Sequence, residues 1–317
     1  MTFPGAALPI PHVSTPRERA AIAAALAAAR PLLVRGEPGT GKTQLAEAAA
    51  ESLGRPLLSL TVNSTTTPTD LLWTFDAVQR LAEAQVAAAI TSDPAKLQEQ
   101  IELRRFVRPG PLWWAFDWDS AAAQQPAEIP QQPPGWRSTD GVVILIDEID
   151  KGDTDVPNGL LEALGSRRFM PTGWTQPIRQ HRSKTPLIVI TTNEERSLPD
   201  PFVRRCLVLH LELPHLTVRA SREQQHQENT AFVDFLVERG RKHFGLLDRG
   251  VLQQAAELLV EDRRTALENQ QRPFPGQAEY LDYLRIIAES VPGGGLSQRD
   301  LDEIRNLVYR KSRRTLR

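Results

Sequence analysis

Pro31-Leu32-Leu33-Val34-Arg35-Gly36-Glu37-Pro38-Gly39-Thr40-Gly41-Lys42-Thr43 decides how the rest of this 317-residue chain is read. A short apolar run predicts a strand. Residues 36–43 then match G-x-x-x-x-G-K-[ST], and Lys42 to Leu53 carries apolar residues at helical spacing (Leu45, Ala48, Ala49, Leu53) up to Gly54. Strand, glycine loop and helix in that order form an anion cradle. Glycines let backbone N–H groups turn inward around a phosphate, and the helix aims its positive end at the same point. In such a loop Lys42 reaches the β- and γ-phosphates and the Thr43 hydroxyl ligates Mg²⁺. The candidate nucleotide contacts are Gly36, Glu37, Pro38, Gly39, Thr40, Gly41, Lys42, Thr43 and the adjoining Gln44.

The pattern repeats outward from the loop. Thr15 to Arg30 is alanine-rich and predicts a first helix capped by Thr15. Leu57 to Val62 predicts a second strand, Thr69 to Ile90 a long helix opened by Thr69 or Asp70, and Pro94 to Val107 another helix. Ala121 to Ser138 is rich in Pro and Gln and predicts an exposed loop. Gly141 to Ile146 has an unbroken apolar run, as in a parallel strand covered on both faces. A short helix is expected over Pro157 to Leu164, a hairpin around Thr172-Gly173 within Arg168 to Lys184, and strands over Leu187–Thr192 and Leu207–Leu213. Strands separated by helices predict a doubly wound α/β fold with a five-stranded parallel sheet. Beyond Pro214 only helices are expected, over Phe232–Phe244, Gly250–Leu267, Gln277–Ser290 and Ser297–Leu316. The expected division is an α/β core over residues 1–213, with a helical insert at about 68–106, and an all-helical domain over 214–317.

Two strand ends supply the chemistry that a phosphate loop lacks. Ile144-Leu145-Ile146-Asp147-Glu148 ends a buried strand in two carboxylates. Asp147 suits the Mg²⁺ coordination sphere, and Glu148 suits a general base acting on the attacking water. Leu187 to Asn193 ends another strand on an amide that can orient that water, although Asn at a strand end also serves as a plain turn residue. In Pro199-Asp200-Pro201-Phe202-Val203-Arg204-Arg205-Cys206, two arginines precede the last strand. Arginine stabilises a transferring phosphoryl group, so one of them, Arg205 ahead of Arg204, is a candidate arginine finger for a neighbouring copy.

These residues carry a resemblance. GEPGTGKT, ILIDEIDK, TTNEER and PDPFVRRC, in that order, resemble the AAA+ ATPases and specifically the MoxR branch. Thr69 to Asp76 (TDLLWTFD) and Arg108 to Trp113 (RPGPLW) resemble further MoxR segments, and the likeness covers about residues 15 to 290. It implies a P-loop αβα sandwich with a C-terminal helical lid and hydrolysis of ATP to ADP and phosphate with Mg²⁺. It also implies a ring, usually a hexamer, with ATP between subunits. The insert and the hairpin would face the ring surface or pore, and the partner would be a protein, such as one with a von Willebrand factor A domain. The family's lid also supplies a sensor arginine. Arg272 in Gln271-Arg272-Pro273-Phe274-Pro275 is the best match and Arg285 the fallback. Trp73 stands where many relatives have a small residue.

Composition narrows the alternatives. Lys plus Arg number 38 against 39 for Asp plus Glu, so nucleic acid would need a local basic patch. Arg305, Arg310, Lys311, Arg313, Arg314 and Arg317 could form one, although cations also suit a helix end. Trp113, Trp114, Phe116 and Trp118 could stack on a base or pack beneath the sheet. One cysteine, Cys206, allows no intrachain disulfide, and the six histidines show no metal-ligand spacing. No apolar run reaches membrane-helix length and the start lacks a signal-peptide pattern, so a soluble, cytoplasmic protein is expected. Three activities fit: an ATPase acting on a protein, a nucleotide-controlled switch or scaffold, and a nucleic-acid remodeller.

Overall fold

The computed structural model describes residues 15–90, 94–124, 126, 128–180, 185–290 and 297–310. Its strands are β1 (Leu32–Gly36), β2 (Leu57–Thr61), β3 (Trp73–Phe75), β4 (Val107–Pro109), β5 (Val143–Asp147), β6 (Arg168–Phe169), β7 (Ile178–Arg179), β8 (Leu187–Thr192) and β9 (Leu207–Leu211). The helices are α1 (Pro16–Ala28), α2 (Lys42–Leu53), α3 (Ala77–Ile90), α4 (Pro94–Gln100), α5 (Pro111–Phe116), α6 (Trp118–Ala122), α7 (Asp155–Ser166), α8 (Asp200–Arg205), α9 (Arg222–His243), α10 (Arg249–Glu268), α11 (Gln277–Ser290) and α12 (Gln298–Val308).

The chain forms two compact units. One is built from Lys42–His210 and the chain from α1 to Gly36; the other contains Glu37–Gly41 and the chain from Leu211 onward. The first holds the five-stranded sheet, ordered β2-β5-β8-β1-β9. All six residues of β8 are buried, which suits a central parallel strand covered on both faces. Its register sets Leu145 beside Val189 and Ile146 beside Ile190, so Asp147 follows in line with Thr191. The expected αβα sandwich with a parallel five-stranded sheet is therefore present. Its α1 is capped as expected: the Thr15 hydroxyl accepts from the Glu18 N–H at 3.2 Å, and Glu18 accepts from the Thr15 N–H at 2.9 Å.

The tryptophan cluster belongs to the core. Trp113 and Phe116 are fully buried, and Trp113 stands edge-on to Phe169 and Trp174 at 5.7 and 5.3 Å. Trp118 meets Trp136 at 4.6 Å, and the Trp136 indole N–H donates to the Gly141 carbonyl at 2.9 Å. That contact fastens the Pro- and Gln-rich loop, of which residues 125 and 127 lie outside the described residues.

Three helix expectations need correction. The run from Thr69 to Ile90 is not one helix. A 3₁₀ turn spans Pro68–Leu71, β3 follows, and α3 starts only after Asp76, whose carboxylate accepts from the Gln79 N–H at 2.8 Å. β3 breaks the run because it pairs antiparallel with β4, setting Trp73 against Pro109. That same pairing ends the helix expected through Val107: α4 stops at Gln100 and a 3₁₀ turn covers Leu103–Phe106. In the second unit α9 begins ten residues earlier than expected, at Arg222, capped by Ser221. Its first half is polar, so apolar spacing gives no signal there. The hairpin is present as β6 paired with β7, but residues 181–184 lie outside the described residues, as do 311–316 of the last expected helix.

The second unit is helical, with a core of Phe232, Leu236, Leu259, Tyr280 and Leu284, each fully buried. No described helix is long and apolar enough to cross a membrane.

Candidate active site

Three adjacent strands, β5, β8 and β1, deliver Asp147, Asn193 and Gly36 at one edge of the sheet, the carboxyl ends where α/β folds place ligands. The glycine loop turns where Gly39 (φ 78°) and Gly41 (φ 90°) take left-handed conformations that side chains disfavour. Lys42 is buried, and its ammonium donates to the Gly36 carbonyl at 2.8 Å.

The Thr43 hydroxyl lies 3.2 and 3.1 Å from the two carboxylate oxygens of Asp147. A hydroxyl and a carboxylate converging at this distance are hard oxygen donors, the set that Mg²⁺ takes when most of its shell is water and phosphate. The donor chemistry therefore fits the ion.

Asp147 and Glu148 are held by a residue that the sequence reading missed. Thr191 is fully buried; its hydroxyl accepts from the Glu148 N–H at 2.9 Å and donates to Asp147 Oδ1 at 2.5 Å. One hydroxyl thus fixes both the Asp147 carboxylate, the candidate Mg²⁺ ligand, and the backbone of the general-base candidate. We expect Thr191→Val to keep the fold and to lower turnover, or raise the Mg²⁺ needed for half-maximal turnover, by about 10–100-fold, as loss of a ligand's orienting partner typically does. Unchanged Mg²⁺ titrations of ATP turnover would show that the relay is dispensable.

Glu148 itself has φ 57°, and its carboxylate lies between two groups. Asn193 Nδ2 donates to Oε1 at 3.1 Å, and Lys151 Nζ donates to Oε2 at 2.6 Å. That bond, with the negative charges of Glu148, Glu195 and Asp150 behind it, raises the Lys151 ammonium above its ordinary pKa. Lys151 also escaped the sequence reading, although three residues after Glu148 is a spacing that allows the contact. Beyond Asn193, Glu194 also has a positive φ (59°) and pairs with Arg35 at 3.2 Å.

The remaining candidates lie elsewhere. Arg204 and Arg205 are exposed at the end of α8, immediately before β9. The Leu207 N–H donates to the Pro31 carbonyl at 2.8 Å, so the amino ends of β9 and β1 lie side by side. The two arginines therefore sit at the opposite end of the strands from the cluster around Asp147, about 15 Å away along five residues of strand. In the helical unit, the Arg272 guanidinium lies over the Phe274 ring at 5.4 Å, and Arg285 pairs with Asp282 at 3.6 Å. The arginine of that unit that bonds Glu37 is Arg263, which donates to both carboxylate oxygens at 2.9 and 2.8 Å and to the Pro275 carbonyl at 2.9 Å. Nothing in the local sequence separates Arg263 from Arg264 beside it, except its place on the buried side of α10.

The G-x-x-x-x-G-K-[ST] string of residues 36–43, with Thr43 against the Asp147 carboxylate and Asn193 at the end of the adjacent strand, on this sheet order, defines a P-loop nucleotide-binding protein. Residues 31–206 match the model of the AAA domain, dynein-related subfamily, over more than half of the chain. The chain belongs to this AAA family, and so to the AAA+ ATPases. Among solved structures it is similar to a candidate ATPase of Cytophaga hutchinsonii, with 14% identity and TM-score 0.37 over 92% of this chain and 79% of that one. It is also similar to a single-substitution variant of Thermotoga maritima RuvB, with 15% identity and TM-score 0.41 over 92% and 66% of the respective chains. No curated protein sequence matches it significantly.

Proposed function

We propose that this chain is a Mg²⁺-dependent, ring-forming ATPase of the MoxR type that remodels, activates or matures a protein partner in the cytoplasm. The observation that carries the reading is the convergence at one sheet edge of Thr43 with Asp147 and of Glu148 with Asn193. In this reading Lys42 and the loop amides grip the β- and γ-phosphates of ATP, and Thr43 and Asp147 hold Mg²⁺. The bound ion neutralises charge on the β- and γ-phosphate oxygens. Asn193 orients a water, and Glu148 accepts its proton as the oxygen attacks the γ-phosphorus. The arginines at the far end of the strands cannot serve their own cluster without crossing the height of the sheet, which favours action in a neighbouring subunit's site. The C-terminal helices, from about residue 214, act as the lid.

ATP turnover by the purified protein tests this directly. Turnover should need Mg²⁺ and should rise more steeply than protein concentration as subunits assemble. Nucleotide binding without turnover at any concentration would favour the second reading, a slow switch or scaffold. The contact of Lys151 with Glu148 is the observation on that side, because it occupies the base.

The partner-facing surface is proposed to be the insert. On α3, Val78, Leu81, Val86 and Ile90 are 80%, 61%, 58% and 81% exposed, an apolar face with no part in the nucleotide cluster. Leu81→Asp with Val86→Asp should therefore abolish stimulation by a protein partner, such as one with a von Willebrand factor A domain, and leave basal hydrolysis within about twofold, as surface changes usually do. A matched loss of basal turnover would place this face in the ATPase machinery instead. Salt-sensitive DNA binding that stimulates turnover would promote the nucleic-acid reading.

A further inference from the structure

Helix α8 has only six residues, and its last carbonyls lack intrahelical partners. One side chain from elsewhere in the chain supplies them. Arg30 donates through Nε to the Arg205 carbonyl at 3.0 Å, and through Nη2 to the carbonyls of Arg204 at 2.5 Å and Cys206 at 3.0 Å. Three successive carbonyls thus converge on one guanidinium, whose positive charge suits a helix carboxyl end.

Arg30 is itself held on both sides. Before it, Ala29 closes α1 in a left-handed conformation (φ 50°), with its N–H bonded to the carbonyls of Ala25 and Leu26. After it, the proline ring restricts Pro31, whose carbonyl is bonded to Leu207 as β9 begins. The clamp therefore joins the start of the central sheet to the backbone that carries Arg204 and Arg205, while the side chains of both arginines remain exposed.

We propose that Arg30 is a positioning residue for the arginine that completes a neighbouring subunit's site. The inference rests on the reading of Arg205 as acting in trans. Arg30 precedes the amino end of β1, opposite Gly36, and it fixes the direction in which the end of α8 presents its side chains. Lysine cannot replace it fully, because a single ammonium on a flexible stem does not span three carbonyls as a planar fork does.

Mixed assemblies test this. Arg30→Ala should bind ATP and assemble like the wild type, yet turn over about 10–100-fold more slowly, the loss expected for a misplaced catalytic group. Arg30→Lys should fall between the two. Mixing Arg30→Ala with Lys42→Ala subunits should restore turnover, because the second subunit presents a clamped arginine to the intact phosphate loop of the first. Mixing Arg30→Ala with Arg205→Ala should restore none, because neither presents one. Wild-type turnover by Arg30→Ala, or recovery in the Arg205→Ala mixture, overturns the proposal. Should Arg30→Ala not fold, Arg30→Lys and Arg30→Gln go through the same mixtures with the same outcomes required. The pair Arg205→Ala with Lys42→Ala separates the two levels. If it fails to complement, the trans reading falls and the positioning role with it. If it complements while the Arg30 variants do not, the trans reading stands and Arg30 is a residue of the fold alone.

Discussion

Glu148→Gln is expected to bind ATP as tightly as the wild type and to hydrolyse it about 10²–10⁴-fold more slowly, the contribution of one general base. Glutamine keeps the shape of the side chain and can still meet Asn193, but it cannot take a proton from water. The backbone N–H of residue 148 would go on donating to Thr191, so Asp147 keeps its orientation. Lys42→Ala should fail earlier. The ammonium of buried Lys42 is the cation proposed to grip the phosphates, and without it the ground-state complex should be lost. Nucleotide binding measured by calorimetry beside steady-state turnover separates the two: binding without turnover for Glu148→Gln, neither for Lys42→Ala. Ordinary turnover by Glu148→Gln would remove Glu148 from the chemistry.

Arg205→Ala should lower turnover in assembled protein by about 10³-fold, the low end of what an arginine finger contributes. Its mixture with Lys42→Ala should recover activity, since each subunit carries what the other lacks. The geometry supports this direction of transfer: the phosphate loop leaves the carboxyl end of β1, whereas Arg205 precedes the amino end of β9 beside it. Arg204, exposed one residue earlier, is the control, and equal losses at both positions would mean that the pair acts together. Mixtures that stay inactive at every ratio would contradict action in trans.

The readable parts of this protein are those in which chemistry needs residues close together in the chain. A phosphate loop is eight consecutive residues, and the paired carboxylates directly follow an apolar strand, so both are visible as strings. The sheet is legible for the same reason, since each buried strand is a local apolar run. Pairings set by register or by distant segments are not legible. Thr191 reads as one more polar residue at a strand end until β8 is aligned with β5. Arg30 looks like the last residue of a helix, because its partner Arg205 lies 175 positions away. The helix expected from Thr69 failed on a similar point. Residues 73–75 (Trp-Thr-Phe) have no helix breaker, but aromatic and β-branched residues favour strands, and pairing with residues 107–109 realises that preference.

The left-handed backbone at Glu148 has a consequence for durability. A side chain larger than glycine at such a φ costs on the order of 1–3 kcal/mol, and a solvent-screened ion pair such as that with Lys151 offsets little of it. Selection for stability alone would place glycine or asparagine there. A Glu148→Gly protein should therefore be catalytically dead and yet melt a few degrees above its parent, since each 1 kcal/mol moves the midpoint by about 2–4 °C in a domain of this size. With that result, the unit that carries the sheet gives up heat resistance to hold one carboxylate in place.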